Sequence, residues 1–394
     1  MASPYKDYWL KAMEKEANSL ESHETWEIVP QDASKAYKPL KTRWVYKIKE
    51  SPNFFEFKAR FVAKGFEQLY GLNYVDTFAS VVKQMAWRLI FALAVLYGWV
   101  IWKVDMISAF TQSNIDVNTL YIVPPEGINA QKYAGKLLLL NKALYGLKQS
   151  ARLWFITLKE VLVKKLGFQA LTTESCILIN KAQQLIVSIY VDDLAIIGPN
   201  VDNIKSFILE LKKLFKLKDL GLIKDYLGIN IEYNLDKGYM KLYQESYIEK
   251  VLARFNMTDC KPKDTPMDSK VKLEPNPNQA NKEEINLFQQ IIGCLLFLTL
   301  ATRPDICYAV IKLARFASNP SAYHMIALKN VLRYLKGSKK LGLIYEKSPS
   351  RYISGYCDAD YAGDIGTAKS TSGLSFYLAS CLISWKSKLQ SIIV

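Results

Sequence analysis

The stretch LIVSIYVDDLAIIG (residues 185–198) sets two adjacent carboxylates, Asp192 and Asp193, between two apolar runs. Each run is short enough for a strand, and together they read as a hairpin with the acids at its tip. A bare carboxylate buried there would cost several kcal/mol or take up a proton. Something facing the pair must therefore compensate their charge. A third acid, Asp105, ends another apolar strand, WVIWKVD (99–105). If the two elements are neighbours in one sheet, three carboxylates converge at one edge. Like charges a few Å apart raise one another's pKa, so such a cluster calls for a cation. Hard divalent cations take oxygen ligands and keep positions open for phosphate. Two of them about 4 Å apart stabilise the attacking and leaving oxygens of an in-line phosphoryl displacement. Taken singly, an aspartate at a strand end is usually a turn former.

The 394 residues are half hydrophobic, which allows two or three domains with sizeable cores and excludes wholesale disorder. The net charge of +15 favours polyanions, nucleic acid or an anionic surface, although a basic soluble protein needs neither. Cys176, Cys260, Cys294, Cys307, Cys357 and Cys381 form no CxxC pair, and the histidines are His23 and His324, which argues against zinc. MASPYKDYWLKAM lacks a basic start followed by an apolar stretch, so no signal peptide is expected. The apolar run Leu89 to Trp102 is too short to span a bilayer and reads as a core helix passing into a strand. These features predict an intracellular, reducing compartment and no membrane partner.

Apolar spacing predicts a short amphipathic helix over 9–20, a basic hairpin from TRWVYKIK (42–49) and FEFKARFVAKG (55–65), and a buried helix over 84–97. A basic amphipathic helix is expected from Ala143 to Leu166 and another over 202–217. DYLGINIEYN and GYMKLYQ read as strands joined near Asp236-Lys237-Gly238, followed by the helical YIEKVLARF. Residues 260–284, rich in Pro, Asn and charge, read as a linker. Helices follow at 284–301, 304–317 and 321–336. A β-like piece then contains GLIYEK, YISGYCDADYAG and SGLSFYLASCLISWKS.

In their order along the chain, KTRWVYKIK, FKARFVAKGFEQ, YVDTFASVV, KVDMISAF, LYIVPPEG, LYGLKQSARLWF, YVDDLAIIG, DYLGINIE, CKPKDTPM, ATRPDICYAV, LRYLKGSKK, DADYAGD, KSTSG and ISWKSK resemble the blocks of copia-type retrotransposon reverse transcriptases. The resemblance runs nearly end to end. It implies an α/β (α+β) right-hand polymerase. Fingers and palm would lie in 1–235, thumb and connection in 236–343, and an incomplete RNase H-like domain in 344–394.

By this resemblance Asp105, Asp192 and Asp193 are the palm aspartates. Asp105 and Asp192 would hold two magnesium ions, with manganese as a possible substitute, and Asp193 would have a less direct role. The reaction implied is attack of a primer 3′-hydroxyl on the α-phosphate of a deoxynucleoside triphosphate, where positioning and charge neutralisation carry the rate. Phe110 matches a steric gate against a 2′-hydroxyl; on spacing alone it reads sooner as a core aromatic. Lys58 and Arg60 match residues that grip the triphosphate, although Lys58 also suits a solvated strand face. Gln149 matches a position near the incoming nucleotide, and Lys148 and Arg152 are phosphate candidates. Ala151 stands where the family more often has proline. Leu227 and Gly228 resemble the primer grip, where glycine allows close backbone approach. Lys329, Arg333, Lys336, Lys339 and Lys340 would follow a duplex backbone, or form a solvated helix face.

CDADYAGD resembles the first strand of the family's RNase H domain, with Asp358 at a metal position. The further acids of that fold are expected beyond KSKLQSIIV, so a vestigial domain without RNase H activity is the expectation. Partners implied are an RNA template, a DNA primer or RNA–DNA hybrid, dNTPs, and integrase or other polyprotein segments. The resemblance places such enzymes in cytoplasmic virus-like particles. A decayed remnant that binds nucleic acid without synthesis is the alternative. A metal-free hydrolase with two acids would leave Arg60, Phe110 and the basic charge without roles.

Overall fold

A computed structural model describes residues 4–34, 37–51, 54–268, 273–364 and 366–392. Pro52 and Asn53 of the predicted hairpin turn and residues 269–272 of the predicted linker lie outside them. The chain divides into two compact units. The first holds Met1–Val82, Lys103–Ile196 and Asp202–Leu220, and the second Lys83–Trp102, Ile197–Val201 and Gly221–Val394.

In the first unit, Thr42–Ser51 and Phe54–Ala63 pair antiparallel, with Lys47 opposite Lys58 and Val45 opposite Arg60. The helix Lys6–Ser22 presents Met13, Ala17 and Leu20 at helical spacing, all buried. Met13 and Ala17 pack on Ala59 of the hairpin. Trp9 adds edge contacts to Phe57 at 4.7 Å and Tyr46 at 4.9 Å. A small sheet of Trp26–Pro30, Lys136–Leu140 and Tyr121–Ile122 supplies a second core around Leu20, Phe61 and Leu138.

The acids ride on a six-stranded sheet. Its order is Leu217–Leu222, Val100–Met106, Asp193–Gly198, Leu185–Tyr190, Ile177–Asn180 and Gln169–Ala170. The strand that carries Asp105 is thus the neighbour of the strand that begins at Asp193. Leu194, Ala195, Ile196 and Ile197 are all fully buried, which explains the continuous apolar run: both faces of this strand are covered.

The helix predicted from Ala143 is Ser150–Lys164, so its first seven residues are corrected to a turn-rich loop. The reason is Gly146, with φ of 93°. A Cβ on Gly146 would lie 2.1 Å from the carbonyl oxygen of Ala63, and one on Gly65 would lie 2.0 Å from that of Gly146. Two backbones cross where no side chain fits, and Ala63 N–H donates to Tyr145 O at 2.9 Å.

In the second unit the helix Gln84–Tyr97 ends at Gly98, in the left-handed region. The Tyr233 hydroxyl caps it by donating to Trp99 O at 2.6 Å and Ala94 O at 3.2 Å. The helices Glu245–Arg254, Lys282–Ala301, Cys307–Ala314 and Ala322–Gly337 share one core. Capping boxes at Asn281 and Ser321 start two of them. Lys282–Ala301 is long and apolar enough to cross a membrane, yet Phe288, Ile291, Leu295 and Leu298 bury its apolar side within this core.

Two further expectations change. The linker 260–284 is a fixed strap in its described part: Leu273 enters the helical core, and Asn276 Nδ2 donates to Pro320 O at 2.8 Å. GLIYEK does not join the strands that follow it. Gly342–Glu346 is instead the edge of a four-stranded sheet with Tyr239–Tyr243, Ile229–Asn234 and Asp225–Tyr226, so residue 344 falls inside that strand. Ile353–Ala359, Thr371–Leu378 and Cys381–Leu389 form a separate antiparallel sheet.

Candidate active site

The turn that joins Leu185–Tyr190 to Asp193–Gly198, and that carries Asp192, is strained and pinned. Val191 has φ of 54°, a region β-branched residues avoid, at a cost of about 1–3 kcal/mol. Its carbonyl accepts a hydrogen bond of 2.7 Å from Trp154 Nε1. The next carbonyl, of Asp192, accepts from Met106 N–H at 2.9 Å. Trp154 comes from the helix Ser150–Lys164, and Met106 follows Asp105. Both anchors therefore fix Asp192 relative to Asp105.

Asp105 and Asp192 line one polar cavity of about 330 Å³. Lys58, Arg60, Glu16 and Tyr145 share its wall. Lys58 and Arg60 sit two apart on one strand, so they leave the same face. The Arg60 guanidinium lies 5.0 Å from the Tyr145 ring centre, and the Phe110 ring packs against the same Tyr145 ring at 4.7 Å. Burial pushes the Tyr145 hydroxyl up to about 12; Arg60 opposes this, and the charges of Asp192, Glu16 and Asp105 add to it.

Asp193 behaves differently. It pairs with Lys103 at 3.4 Å, and is absent from the cavity wall that Asp105 and Asp192 line. Its carboxyl titrates above the usual range because of burial; Lys103 opposes the rise, while Asp192 and Asp105 add to it. Lys103 and Asp105 are two apart in one strand, so period-2 alternation was the signal that places both beside the neighbouring strand.

The other sequence candidates occupy several different settings. Gln149 is fully buried, and its amide joins Gln68 at 3.0 Å and Asn73 O at 2.8 Å. Lys148 reaches the Tyr74 hydroxyl at 3.2 Å, and Arg152 pairs with Asp76 at 3.2 Å. These three residues clamp the loop after the basic hairpin onto the start of the helix Ser150–Lys164. Leu227 and Gly228, with φ of 52° and 78°, form the two-residue turn between Asp225–Tyr226 and Ile229–Asn234. Arg333 donates to Lys261 O at 2.7 Å and Lys336 to Thr258 O, which ties the strap to the helix Ala322–Gly337. Lys339 pairs with Glu245 at 3.3 Å and Glu249 at 2.5 Å. Asp358 lies exposed on Ile353–Ala359 and accepts from Ala359 N–H at 2.8 Å.

Sequence reading passed over Glu16, Tyr145, Lys103 and Trp154. Glu16 is held by Phe61 N–H; burial raises its pKa, with Lys58 and Arg60 opposing. Tyr145 stood inside the block read for Gln149, and only the left-handed Gly146 beside it marked a loop that turns a side chain toward the acids.

The reverse transcriptase (RNA-dependent DNA polymerase) family profile matches residues 23–269. The chain is 34% identical over its whole length to the retrovirus-related Pol polyprotein from transposon TNT 1-94 of Nicotiana tabacum, and 34% identical over 98% of its length to that from transposon RE1 of Arabidopsis thaliana. It spans about 30% and 26% of those relatives. In fold it is similar to the foamy viral protease-reverse transcriptase solved in complex with dsDNA, with a TM-score of 0.51 at 12% identity over 97% of this chain and 66% of that one. The chain therefore belongs to the reverse transcriptase family, as the reverse transcriptase region of a copia-type Pol polyprotein.

Proposed function

We propose that this chain is an RNA-directed DNA polymerase that extends a DNA primer on an RNA template by nucleotidyl transfer from dNTPs. The observation that carries the reading is one cavity wall holding Asp105 and Asp192 opposite Lys58 and Arg60. Two carboxylates in a polar cavity form a hard oxygen donor set of the kind magnesium takes alongside substrate phosphates. Asp105 and Asp192 would hold two such ions, magnesium or manganese, whose chemistry is to stabilise the attacking and leaving oxygens. Arg60 and Lys58 bind the triphosphate, the Arg by its planar fork and the Lys as a point charge. Tyr145 lines the cavity with Phe110 packed against its ring, and Phe110 would serve as the steric gate against a 2′-hydroxyl. The pinned turn of Val191 and Asp192 fixes the donor set before substrate arrives, which spares reorganisation during the reaction.

Primer extension on an RNA template with magnesium tests the reading. Extension by the chain and its loss in Asp192→Asn are expected. Template binding without extension at low salt would overturn it in favour of a nucleic-acid-binding remnant.

A further inference from the structure

The catalytic cavity holds a charge that the proposed chemistry leaves unused. Glu16 stands in its wall beside Lys58 and Arg60. It comes from the helix Lys6–Ser22, whose Met13, Ala17 and Leu20 face the core. Ala12, Glu16 and Ser19 repeat that helical spacing one residue earlier, and all three line the cavity.

Glu16 is held in place. Phe54–Ala63 pairs with Thr42–Ser51 in a two-stranded sheet, so its other edge is open to the helix. At that edge Ala63 N–H donates to Tyr145 O at 2.9 Å, and Phe61 N–H donates to the Glu16 carboxylate. The helix is anchored along its length. Met13 and Ala17 pack on Ala59, and Trp9 meets Phe57 at 4.7 Å. Near its end Glu21 accepts from Lys132 Nζ and from the Tyr133 hydroxyl, both at 2.7 Å. The charges of Lys58 and Arg60 act on Glu16, and its own charge reaches the Tyr145 hydroxyl. Lys15 and Glu56 also reach the wall, but they are exposed and of opposite sign, so they offset one another. Glu16 thus cancels one of the two positive charges that Lys58 and Arg60 offer an anion.

Nucleotidyl transfer joins the primer oxygen to the α-phosphorus and breaks the bond from that phosphorus to the bridging oxygen of the β-phosphate. The electron pair of that bond leaves with pyrophosphate. Lys58 and Arg60, placed to bind the triphosphate, meet this product through the same phosphates. Two uncompensated cations would retain it and favour the reverse attack. We propose that Glu16 is a specificity-determining residue that weakens the grip of Lys58 and Arg60 on bare pyrophosphate and so speeds its release, an assignment that rests on the polymerase reading for its ligand. The nucleotide also has its base and sugar to bind by, whereas pyrophosphate has phosphate contacts alone. A fixed opposing charge therefore costs the product the larger share of its affinity.

Isothermal titration of the full chain with pyrophosphate, in magnesium at constant ionic strength, tests this without any synthesis. Glu16→Gln keeps the side-chain shape and an oxygen for the Phe61 N–H. It should bind pyrophosphate about tenfold more tightly, the scale of one like charge removed a few Å away in a partly buried site. Damage to the fold would weaken binding instead. Glu14→Gln, an exposed change on the same helix outside the cavity wall, should leave the affinity unchanged. In primer extension, Glu16→Gln should be inhibited more strongly by pyrophosphate. Its KM for dNTP should fall together with its steady-state kcat, because product leaves slowly. If the chain extends no primer while Glu16→Gln still tightens pyrophosphate, the polymerase reading fails and the charge role of Glu16 stands. No saturable pyrophosphate binding, unchanged or weaker binding in Glu16→Gln, or an equal gain in Glu14→Gln overturns that role, whether or not primer is extended.

Discussion

Asp305 and Asp193 are both partly buried, with 32% and 27% of their side chains exposed, and each lies beside a cation. Around Asp305 every interaction agrees. The fully buried Arg303 donates from Nε to Oδ1 at 3.0 Å and from Nη2 to Oδ2 at 2.7 Å. The Tyr334 hydroxyl adds a third bond at 2.7 Å, and Ser338 takes up the rest of the guanidinium. Burial alone would raise the Asp305 pKa, yet the Arg303 and Tyr334 hydrogen bonds hold it below the usual range. Around Asp193 the balance reverses. Burial wins, one ion pair with Lys103 opposes it, and two like charges push the same way as burial. Convergent donors make the first aspartate a fixed strut. The second has one ion pair and two neighbouring carboxylates, so its charge is held against burial with far less help.

That contrast can be broken at either end. The largest effect is expected from Asp192→Asn: primer extension should fall by about 10³-fold or more, while urea unfolding shows stability unchanged or slightly raised because a like charge is gone. Arg303→Met should do the opposite. It leaves Asp305 buried without its partner and costs about 3–5 kcal/mol in urea unfolding. Trp154→Phe lies between the two classes, since it removes the bond to Val191 O while keeping the ring. A loss of about 1–2 kcal/mol is expected, and kcat should fall while the affinity for template stays unchanged.

The pH dependence separates the two aspartates by sign. Asp305 is depressed in the native state, so its contribution is full above the unfolded value of about 3.9 and is lost as pH falls through the folded value. Asp193 is raised, so the native state binds more protons just above about pH 3.9, and stability declines as pH rises from there to the folded value. Asp193→Asn should flatten that decline, and Asp305→Asn should flatten the acid-side loss. Stability measured by urea unfolding across pH 2–7 checks both. If the two variants shift the curve in the same direction, the contrast fails. The smallest effect is expected from Val191→Gly, which relieves about 1 kcal/mol of backbone strain at the cost of unfolded-state entropy. Its sharper readout is a weaker dependence of extension rate on the Trp154 bond.

Much of this organisation was legible in the residues. Alternation found the basic hairpin, and the helix over 84–97 matches its predicted ends because Gly98 stops it. The acid hairpin and its neighbour strand followed from two apolar runs flanking charge. Local pattern failed where the partner was remote. Nothing near Gly146 announces that Ala63 will lie against it, so the helix was begun too early. GLIYEK has the pattern of a strand, but pattern cannot choose between the strands before it and those after it. The bonds from Arg333 and Lys336 to main-chain carbonyls of the strap are likewise contacts that no composition reveals. Glu16 and Tyr145 carry ordinary residue types in ordinary segments, and only the cavity brings them to the acids.

The crossing of Gly65 and Gly146 has a bearing on how the protein comes to exist. The loop it closes is long; nearby, Gln68 and Gln149 meet at a separation of 81 residues. Closing such a span loses chain entropy before any contact repays it, on the order of 4 kcal/mol. The side chains of Tyr145 and Arg60 face each other only after that closure. During synthesis the hairpin therefore emerges and waits, its basic strand without its aromatic neighbour, until the later segment arrives. The cavity therefore depends on a late, non-local closure, and substitution of either glycine would oppose that closure and cost native stability by the same backbone clash.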